Sequence, residues 1–356
     1  MDLPSKRTFD KYVQMGLLKS ASSNGKTVYC YNEFCQYSQL WNQITRQARG
    51  IVFSEDGELL QRCVPKFFNM GEREGVADFE TMDEGMQENF LVEEKLDGCL
   101  IKVSRIGEEL LITSKCSFNN EYVDTAKRVI ESNYPSIDNF TPGFTYHFEL
   151  LTEQTLGETV VDYGKEPRLV LWAIVNNRTG AELDIYDSSL PFERPKLYPN
   201  SIVENVNSLN DDGEVHEGVV LVYGNGHTRL KIKTLQYLTL FRAKKNLNST
   251  KVWEALSRGQ ELTHADVPEE FWDWLDNTNF ELKNEFSKVK ASILVWHFKT
   301  NQMNDKSLAL SKDIPSEVKS SLFAVRKGDE QAIDTIIWKK IKPAKEPAKA
   351  RRENHA

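Results

Sequence analysis

The feature that most restricts how this chain can fold is a change of hydrophobic rhythm near Tyr237. Ahead of it, short apolar runs recur between turn residues: Gly50-Ile51-Val52-Phe53, Phe90-Leu91-Val92, Leu100-Ile101-Lys102-Val103 and Leu110-Leu111-Ile112-Thr113. Thr145-Tyr146-His147-Phe148, the stretch Leu169 to Ile174, the stretch Gly218 to Val222 and Leu230-Lys231-Ile232-Lys233 continue the series. Runs of this length, punctuated by Gly57, Gly107, Gly143, Gly180 and Gly226, read as strands joined by turns. One helix interrupts them, Asn119 to Asn133, with Tyr122, Ala126, Val129 and Ile130 on one face. Behind Tyr237 the spacing becomes helical. Pro268 stands just inside a helix start, and Trp272, Leu275, Leu282, Phe286, Val289, Ile293 and Trp296 follow. Further helices are expected from about Pro315 and behind an Asp329 N-cap, the second burying Ala332, Ile333, Ile336 and Ile337.

These rhythms predict an α+β protein: antiparallel sheets with flanking helices over residues 1–240, then an all-helical domain over 241–340. Residues 341–356, rich in Lys, Pro and Ala, are expected to be a basic disordered tail. With 356 residues, 40% apolar and 28% charged, the chain can bury a core in each of two domains. No apolar run approaches the length of a membrane span, and the first ten residues lack the apolar stretch of a secretory signal. The expected setting is therefore cytosolic and, with five cysteines and no CxxC pair, the expectation is reduced thiols and no zinc. A net charge of −8 neither supports nor excludes a nucleic-acid partner, since a basic surface can sit on an acidic whole.

The strongest local signal is Glu94-Lys95-Leu96-Asp97-Gly98, set between two strand runs. Alone it is weak, because Asp-Gly at a hairpin tip needs no function. Its company is more telling. Lys115, Glu149 and Glu217 follow, each at the edge of a strand run, and Lys231 and Lys233 share one face of a strand by period-two alternation. The set suits attack by a lysine on a nucleotide α-phosphate. A free lysine has a pKa of roughly 10.4, so about one in a thousand is nucleophilic near neutrality, and cationic neighbours favour the neutral amine. The transfer itself needs positive charge on phosphate oxygens and in-line geometry.

In this order the residues resemble the motif series of the covalent nucleotidyltransferases, the polynucleotide ligases and capping enzymes. Upstream, Arg49-Gly50-Ile51-Val52-Phe53, Pro65-Lys66-Phe67-Phe68-Asn69 and Gly71-Glu72 narrow the resemblance to the phage RNA ligase 1 family, and Tyr31-Asn32 matches a family tyrosine with a one-residue difference in spacing. Leu96 departs from the family, where that position is often charged. The resemblance implies a nucleotidyltransferase (ATP-grasp-like ligase) fold in which Lys95 accepts AMP from ATP, with Mg²⁺ as the metal. It further implies that Arg49, Lys66, Lys231 and Lys233 contact phosphates, that Phe68 packs near the nucleotide, and that Lys115 and Glu149 meet its sugar and phosphate side. Tyr31, Glu94 and Tyr237 would line the site, and Glu149 and Glu217 would hold the metal. The implied partner is RNA with 5′-phosphate and 3′-hydroxyl ends, such as a nicked tRNA, acted on by a monomer.

Each residue also has a plainer reading. Of Phe67 and Phe68, one is expected to be core. His147 is expected to be packed and not catalytic. Asp266, Glu269 and Glu270 suit a helix N-terminus as well as a second metal, and Trp253, Trp272, Trp274, Trp296 and Trp338 are expected to be helical core. The rival functions are a DNA ligase or capping enzyme, which would follow the Leu-Lys-Ile-Lys strand with a β-barrel, and an inactive ligase scaffold that binds RNA.

Overall fold

Each expected run forms a strand because its apolar side chains find a partner layer, and each is closed by a residue that can turn. Gly57, Gly107, Gly143 and Gly180 all take left-handed backbone angles, with φ between 61° and 88°. The computed structural model describes residues 4–72, 90–152, 159–186, 191–223, 228–267, 271–346 and 348; the turn at Gly226 and the helix start at Pro268 lie outside them. The chain divides into two units, Met1–Phe241 and Arg242–Ala356.

The first unit holds three sheets. One is β1 (Leu18–Ser23), β2 (Lys26–Tyr31), β3 (Arg49–Ser54) and β4 (Leu59–Gln61), in that order. Its inner face buries Phe9, Tyr29, Ile51 and Phe53 under the helix α1 (Lys6–Gln14). A second contains β5 (Phe68–Asn69), β6 (Phe90–Lys95), β12 (Leu197–Tyr198), β13 (Gly218–Tyr223) and β14 (Thr228–Lys233), in the order β12-β6-β13-β14-β5. The third contains β7 (Cys99–Ile106), β8 (Glu109–Ser114), β9 (Phe144–Leu151), β10 (Arg168–Asn176) and β11 (Glu182–Leu183), in the order β11-β10-β9-β7-β8. Among the described residues the strand pairings are antiparallel except β14 with β5, and an isolated bridge between Val170 and Glu193 is also parallel. The central strands β9 and β10 are buried along most of their length, which is why they read as continuous apolar runs.

Short helices α2 (Glu33–Tyr37) and α3 (Gln43–Gln47) cross between β2 and β3, each started by an asparagine cap, Asn32 and Asn42. Helix α4 (Glu121–Asn133) starts where Asn120 accepts from the Val123 amide, and it lays Val123, Ala126, Val129 and Ile130 on the third sheet. The fold is thus α+β, as the sequence rhythm predicts.

Helix α5 (Leu235–Lys245) leads to α6 (Ser249–Ser257), α7 (Trp272–Thr300), α8 (Asp305–Leu310), α9 (Ser316–Lys327) and α10 (Glu330–Lys340). The second unit packs Ile293, Leu308, Leu322, Ile333 and Ile337 into one core, and Asp329 caps α10 by accepting from the Ala332 amide. Asp266 serves as a cap too, its carboxylate taking the Thr263 amide and hydroxyl at 2.7 and 2.9 Å; Glu269 and Glu270 lie outside the described residues. The tryptophans behave as structure: Trp253 donates to the Trp338 carbonyl, and Trp338 packs on Phe286.

Two expectations are corrected. The cysteines are not all free: the topology sets β2 beside the turn after β8, and Cys30 and Cys116 are bonded across a Cα separation of 5.8 Å, leaving Cys35, Cys63 and Cys99 as thiols. The segment after α10 is not free chain throughout. Ser249 donates from its amide to the Glu346 carbonyl and from its hydroxyl to the Ala344 carbonyl, and the Ala348 amide reaches the Leu247 carbonyl. Backbone groups of this stretch find partners on the helical unit, which the composition could not disclose.

Candidate active site

Register builds the site. Strand β13 lies between β6 and β14 so that Gly218 faces Lys95 on one side and Lys233 on the other. A side chain at Gly218 is impossible: φ is 149°, and a Cβ would fall 1.9 Å from the Ile232 carbonyl oxygen. Glu217, one residue earlier and buried, therefore meets both lysines, its Oε2 accepting from Lys95 Nζ at 2.6 Å and its Oε1 lying 3.4 Å from Lys233 Nζ. Burial alone would raise the Glu217 carboxyl, but Lys95, Lys233 and Lys231 together hold it below the ordinary range.

The chain then crosses from β6 to β7 through Asp97 and Gly98. Asp97 is buried and well satisfied: Oδ2 accepts from the Val160 and Val161 amides at 2.6 and 3.0 Å, Oδ1 from the Tyr237 hydroxyl at 3.0 Å, and its own amide donates to Tyr163. A Cβ on Gly98 would lie 2.9 Å from Glu149 Cγ, so the glycine is what lets β9 bring Glu149 beside the Lys95 turn. Burial pushes Glu149 up to about 7, with Glu217 and Asp97 adding to the rise and Lys95 and Arg49 opposing it. Asp97 is raised as well, by burial and then by Glu217.

Facing these carboxylates is a set of cations on the first sheet and its connections. Lys115 Nζ donates to the Tyr31 hydroxyl at 2.7 Å and sits over its ring. Burial raises the Tyr31 phenol, but Lys115, Lys66 and Arg49 more than reverse it, to about 8. Burial also lowers Lys115, and Arg49 and Lys66 lower it further. One buried nitrogen of Arg49, Nη1, has no hydrogen-bond partner among the described residues. Cations gathered this closely, with an unused buried donor, are the makings of an anion site.

Most of the expected residues thus converge, with two shifts. Phe68 is 2% exposed, wedged on Trp41 beneath Lys66 and Arg46, and supports the site from the core. Phe67 takes the exposed role: Arg49 lies over its ring at 5.1 Å and Lys231 at 5.6 Å, and Trp172 meets its edge. Glu94 sits on the other face of β6 from Lys95 by alternation, with His216 at 3.8 Å. Lys231 and Lys233 do share a face of β14, and Lys233 lies over the Tyr237 ring. His147 is packed and fully buried, its Nε2 accepting from the Val64 amide. Asp97, Tyr163 and Trp172 escaped the sequence reading; Asp97 alone had a signal, its place two residues after Lys95.

The carboxylates near Lys95 offer oxygens of the kind a hard divalent cation takes. Three carboxylates, Asp97, Glu149 and Glu217, raise or oppose one another around Lys95, a concentration of negative charge that such an ion relieves. Among the described residues, the group of three ligand-type side chains whose donor atoms lie within 4.8 Å of one another is Asp212, Glu214 and His216, and Asp97, Glu149 and Glu217 do not form such a group.

Lys95 is thus held on a buried carboxylate where β6 leaves for β7, while Arg49, Lys66 and Lys115 gather around Tyr31. Residues 47–194 match the RNA ligase family model. The chain is 26% identical over 189 residues to a protein of Thermovibrio ammonificans named as an RNA ligase, covering 50% of this chain and 47% of that one. It is 28% identical over 236 residues to a protein of Autographa californica nuclear polyhedrosis virus named as a bifunctional polynucleotide kinase/RNA ligase, covering 60% and 33%. The chain therefore spans about half of the first relative and a third of the second. Among solved structures, an archaeal ATP-dependent RNA ligase is similar at 13% identity and TM-score 0.49 over 95% of this chain and 96% of that one. A Naegleria gruberi RNA ligase with ATP and manganese is similar at 16% identity and TM-score 0.35, over 43% and 52%.

Proposed function

We propose that the chain is an ATP-dependent RNA ligase that joins a 5′-phosphate to a 3′-hydroxyl through AMP carried on Lys95. The observation that carries this reading is the Lys95–Glu217 pair at 2.6 Å, set where β6, β13 and β14 converge and opposite the Arg49, Lys66 and Lys115 cations.

In the first step the Lys95 amine gives up a proton, leaves its ion pair with Glu217 and attacks the α-phosphorus of ATP. A P–N bond forms, the bond to the bridging oxygen breaks, and pyrophosphate leaves. Arg49, Lys66 and Lys115 bind the departing phosphates, with Arg49 suited to two-pronged contact. In the second step an oxygen of the RNA 5′-phosphate attacks the same phosphorus, the P–N bond breaks, and the lysine takes back a proton. In the third, the 3′-hydroxyl attacks the adenylated end, forming the phosphodiester and releasing AMP. Glu149 and Glu217 would hold Mg²⁺, which when bound supplies positive charge to the phosphate oxygens. Lys231 and Lys233 neutralise charge on the α-phosphate through all three displacements.

A capping enzyme or DNA ligase of the usual plan is disfavoured by the helical composition of the second unit as far as it is described. The testing experiment incubates the protein with Mg²⁺ and α-labelled ATP or GTP, then offers RNA or DNA ends. Label from ATP, lost in Lys95→Ala and passed to RNA, is the expected result. Label from GTP, or transfer to DNA alone, would move the chain to another branch.

A further inference from the structure

Lys102 is fully buried on β7, and nothing in the reaction just described uses it. Its Nζ donates to the Gly50 carbonyl, to Thr113 Oγ1 at 2.8 Å and to Gln61 Oε1 at 3.4 Å. These are three acceptors for three N–H groups, and all three are neutral. No ion pair among the described residues includes it. Burying an ammonium without a carboxylate is costly, and a neutral side chain could bridge the same oxygens. The placement suggests why a cation is kept. A Cβ on Gly50 would lie 2.7 Å from Lys102 Nζ and 2.3 Å from the Lys115 carbonyl oxygen, so the ammonium sits under the backbone that joins Arg49 to the Lys115 turn.

We propose that Lys102 is a positioning residue for the nucleotide phosphates: it holds the Gly50 carbonyl, and with it Arg49, and adds positive potential beneath the site without touching ligand. This rests on the reading that Arg49 and Lys115 face phosphates. The groups around Lys102 are Arg49 and Gly50 on β3, Gln61 on β4, Cys63 just beyond it, Thr113 on β8 and His147 on β9. Burial first and Arg49 second lower the Lys102 ammonium to about 7, with Cys63 opposing. A polyphosphate arriving above it favours the charged form, so nucleotide binding should draw in a proton near neutral pH.

The test is calorimetry of an ATP analogue with a non-cleavable α–β bridge, without metal, in buffers of different ionisation enthalpy. Glu149→Gln serves as a control for Glu149, which burial raises to about 7 within the site. Wild type should take up protons beyond those of the nucleotide itself, and so should Glu149→Gln. Lys102→Met should lose that uptake and bind about tenfold more weakly, with KM for ATP raised in self-adenylylation and the single-turnover rate at saturating ATP less affected. Should Lys102→Met not fold, Thr113→Val, which removes one Nζ acceptor, should change the uptake instead. No linked proton in wild type, or an unchanged proton count and affinity in folded Lys102→Met, overturns the proposal. Failure of the ligase reading would show separately, as no label on wild-type Lys95.

Discussion

The two walls of the candidate site are built differently: one interleaves carboxylates with Lys95, Lys231 and Lys233, and the other gathers cations around a phenol. On the nucleophile side, Asp97, Glu149 and Glu217 crowd around Lys95, and burial and mutual repulsion raise the first two. On the facing side, Arg49, Lys66 and Lys115 crowd around Tyr31, and the phenol is driven to about 8 while Lys115 is lowered. A fold selected for stability alone would pair these groups across the gap. The cation wall is left in need of an anion, which a polyphosphate supplies, while on the other wall Lys95, Lys231 and Lys233 already hold Glu217 below the ordinary range. The strain is a property of the gathered charges and not of any single residue.

The comparison breaks most sharply at the nucleophile. Lys95→Ala should reduce self-adenylylation to background in a gel assay of labelled protein, while joining of a pre-adenylated RNA end survives, because that step bypasses the P–N bond. Loss of both would place Lys95 in folding and not in chemistry. Glu217→Gln keeps the shape of the side chain and removes the charge that Lys95 and Lys233 share. It should slow adenylylation about 100-fold, the order expected when one preorganised electrostatic contact is removed, and shift the Mg²⁺ midpoint upward. Unchanged rate and unchanged Mg²⁺ dependence would take Glu217 out of the site. Tyr237→Phe deletes only the hydroxyl that donates to Asp97 at 3.0 Å; the Val160 and Val161 amides remain. A single hydrogen bond to a charged group is worth about 1.5–3 kcal/mol, so a loss of about tenfold in adenylylation rate is expected.

How much of this was legible beforehand differs between the walls for a physical reason. Part of the nucleophile wall is encoded locally: Lys95 and Asp97 stand in one turn, and period-two alternation puts Lys231 and Lys233 on one face, whereas Glu149 and Glu217 reach Lys95 only through strand register. The strand runs and helix α4 were legible on the same grounds, since burial of one face is written in the spacing. The cation wall depends on register between distant strands. Nothing local says that Phe67 and not Phe68 meets Arg49, because both stand in one apolar run and only the parallel pairing of β5 with β14 decides which face is buried. The same holds for Lys102, which looks like an ordinary strand lysine until Gly50, Gln61 and Thr113 are brought around it, and for the Cys30–Cys116 link, formed across 86 positions. Glu94, next to Lys95 in sequence, lies on the opposite face of the strand, beside His216.

The smallest expected effect tests the cation wall through pH. Tyr31 is held at about 8, below its ordinary value of 10.0, because its phenolate is favoured beside Lys115, Lys66 and Arg49. The folded state therefore binds fewer protons at Tyr31 than the unfolded chain between about 8 and 10, and this residue adds stability as pH rises through that window and loses it as pH falls through 8. For nucleotide the sign reverses. The phenolate cancels one positive charge of the wall, so KM for ATP in self-adenylylation should climb several-fold from pH 7 to pH 9, in step with the ultraviolet absorbance of tyrosinate. Tyr31→Phe removes the titrating hydroxyl and its bond to Lys115, so it should start from weaker binding but show a shallower rise, with Lys115 and Lys102 as the remaining sources of pH dependence. A profile as steep as that of the wild type would assign the pH dependence to Lys115 and Lys102 and leave Tyr31 as packing. A flat wild-type profile would mean that the wall does not face the phosphates.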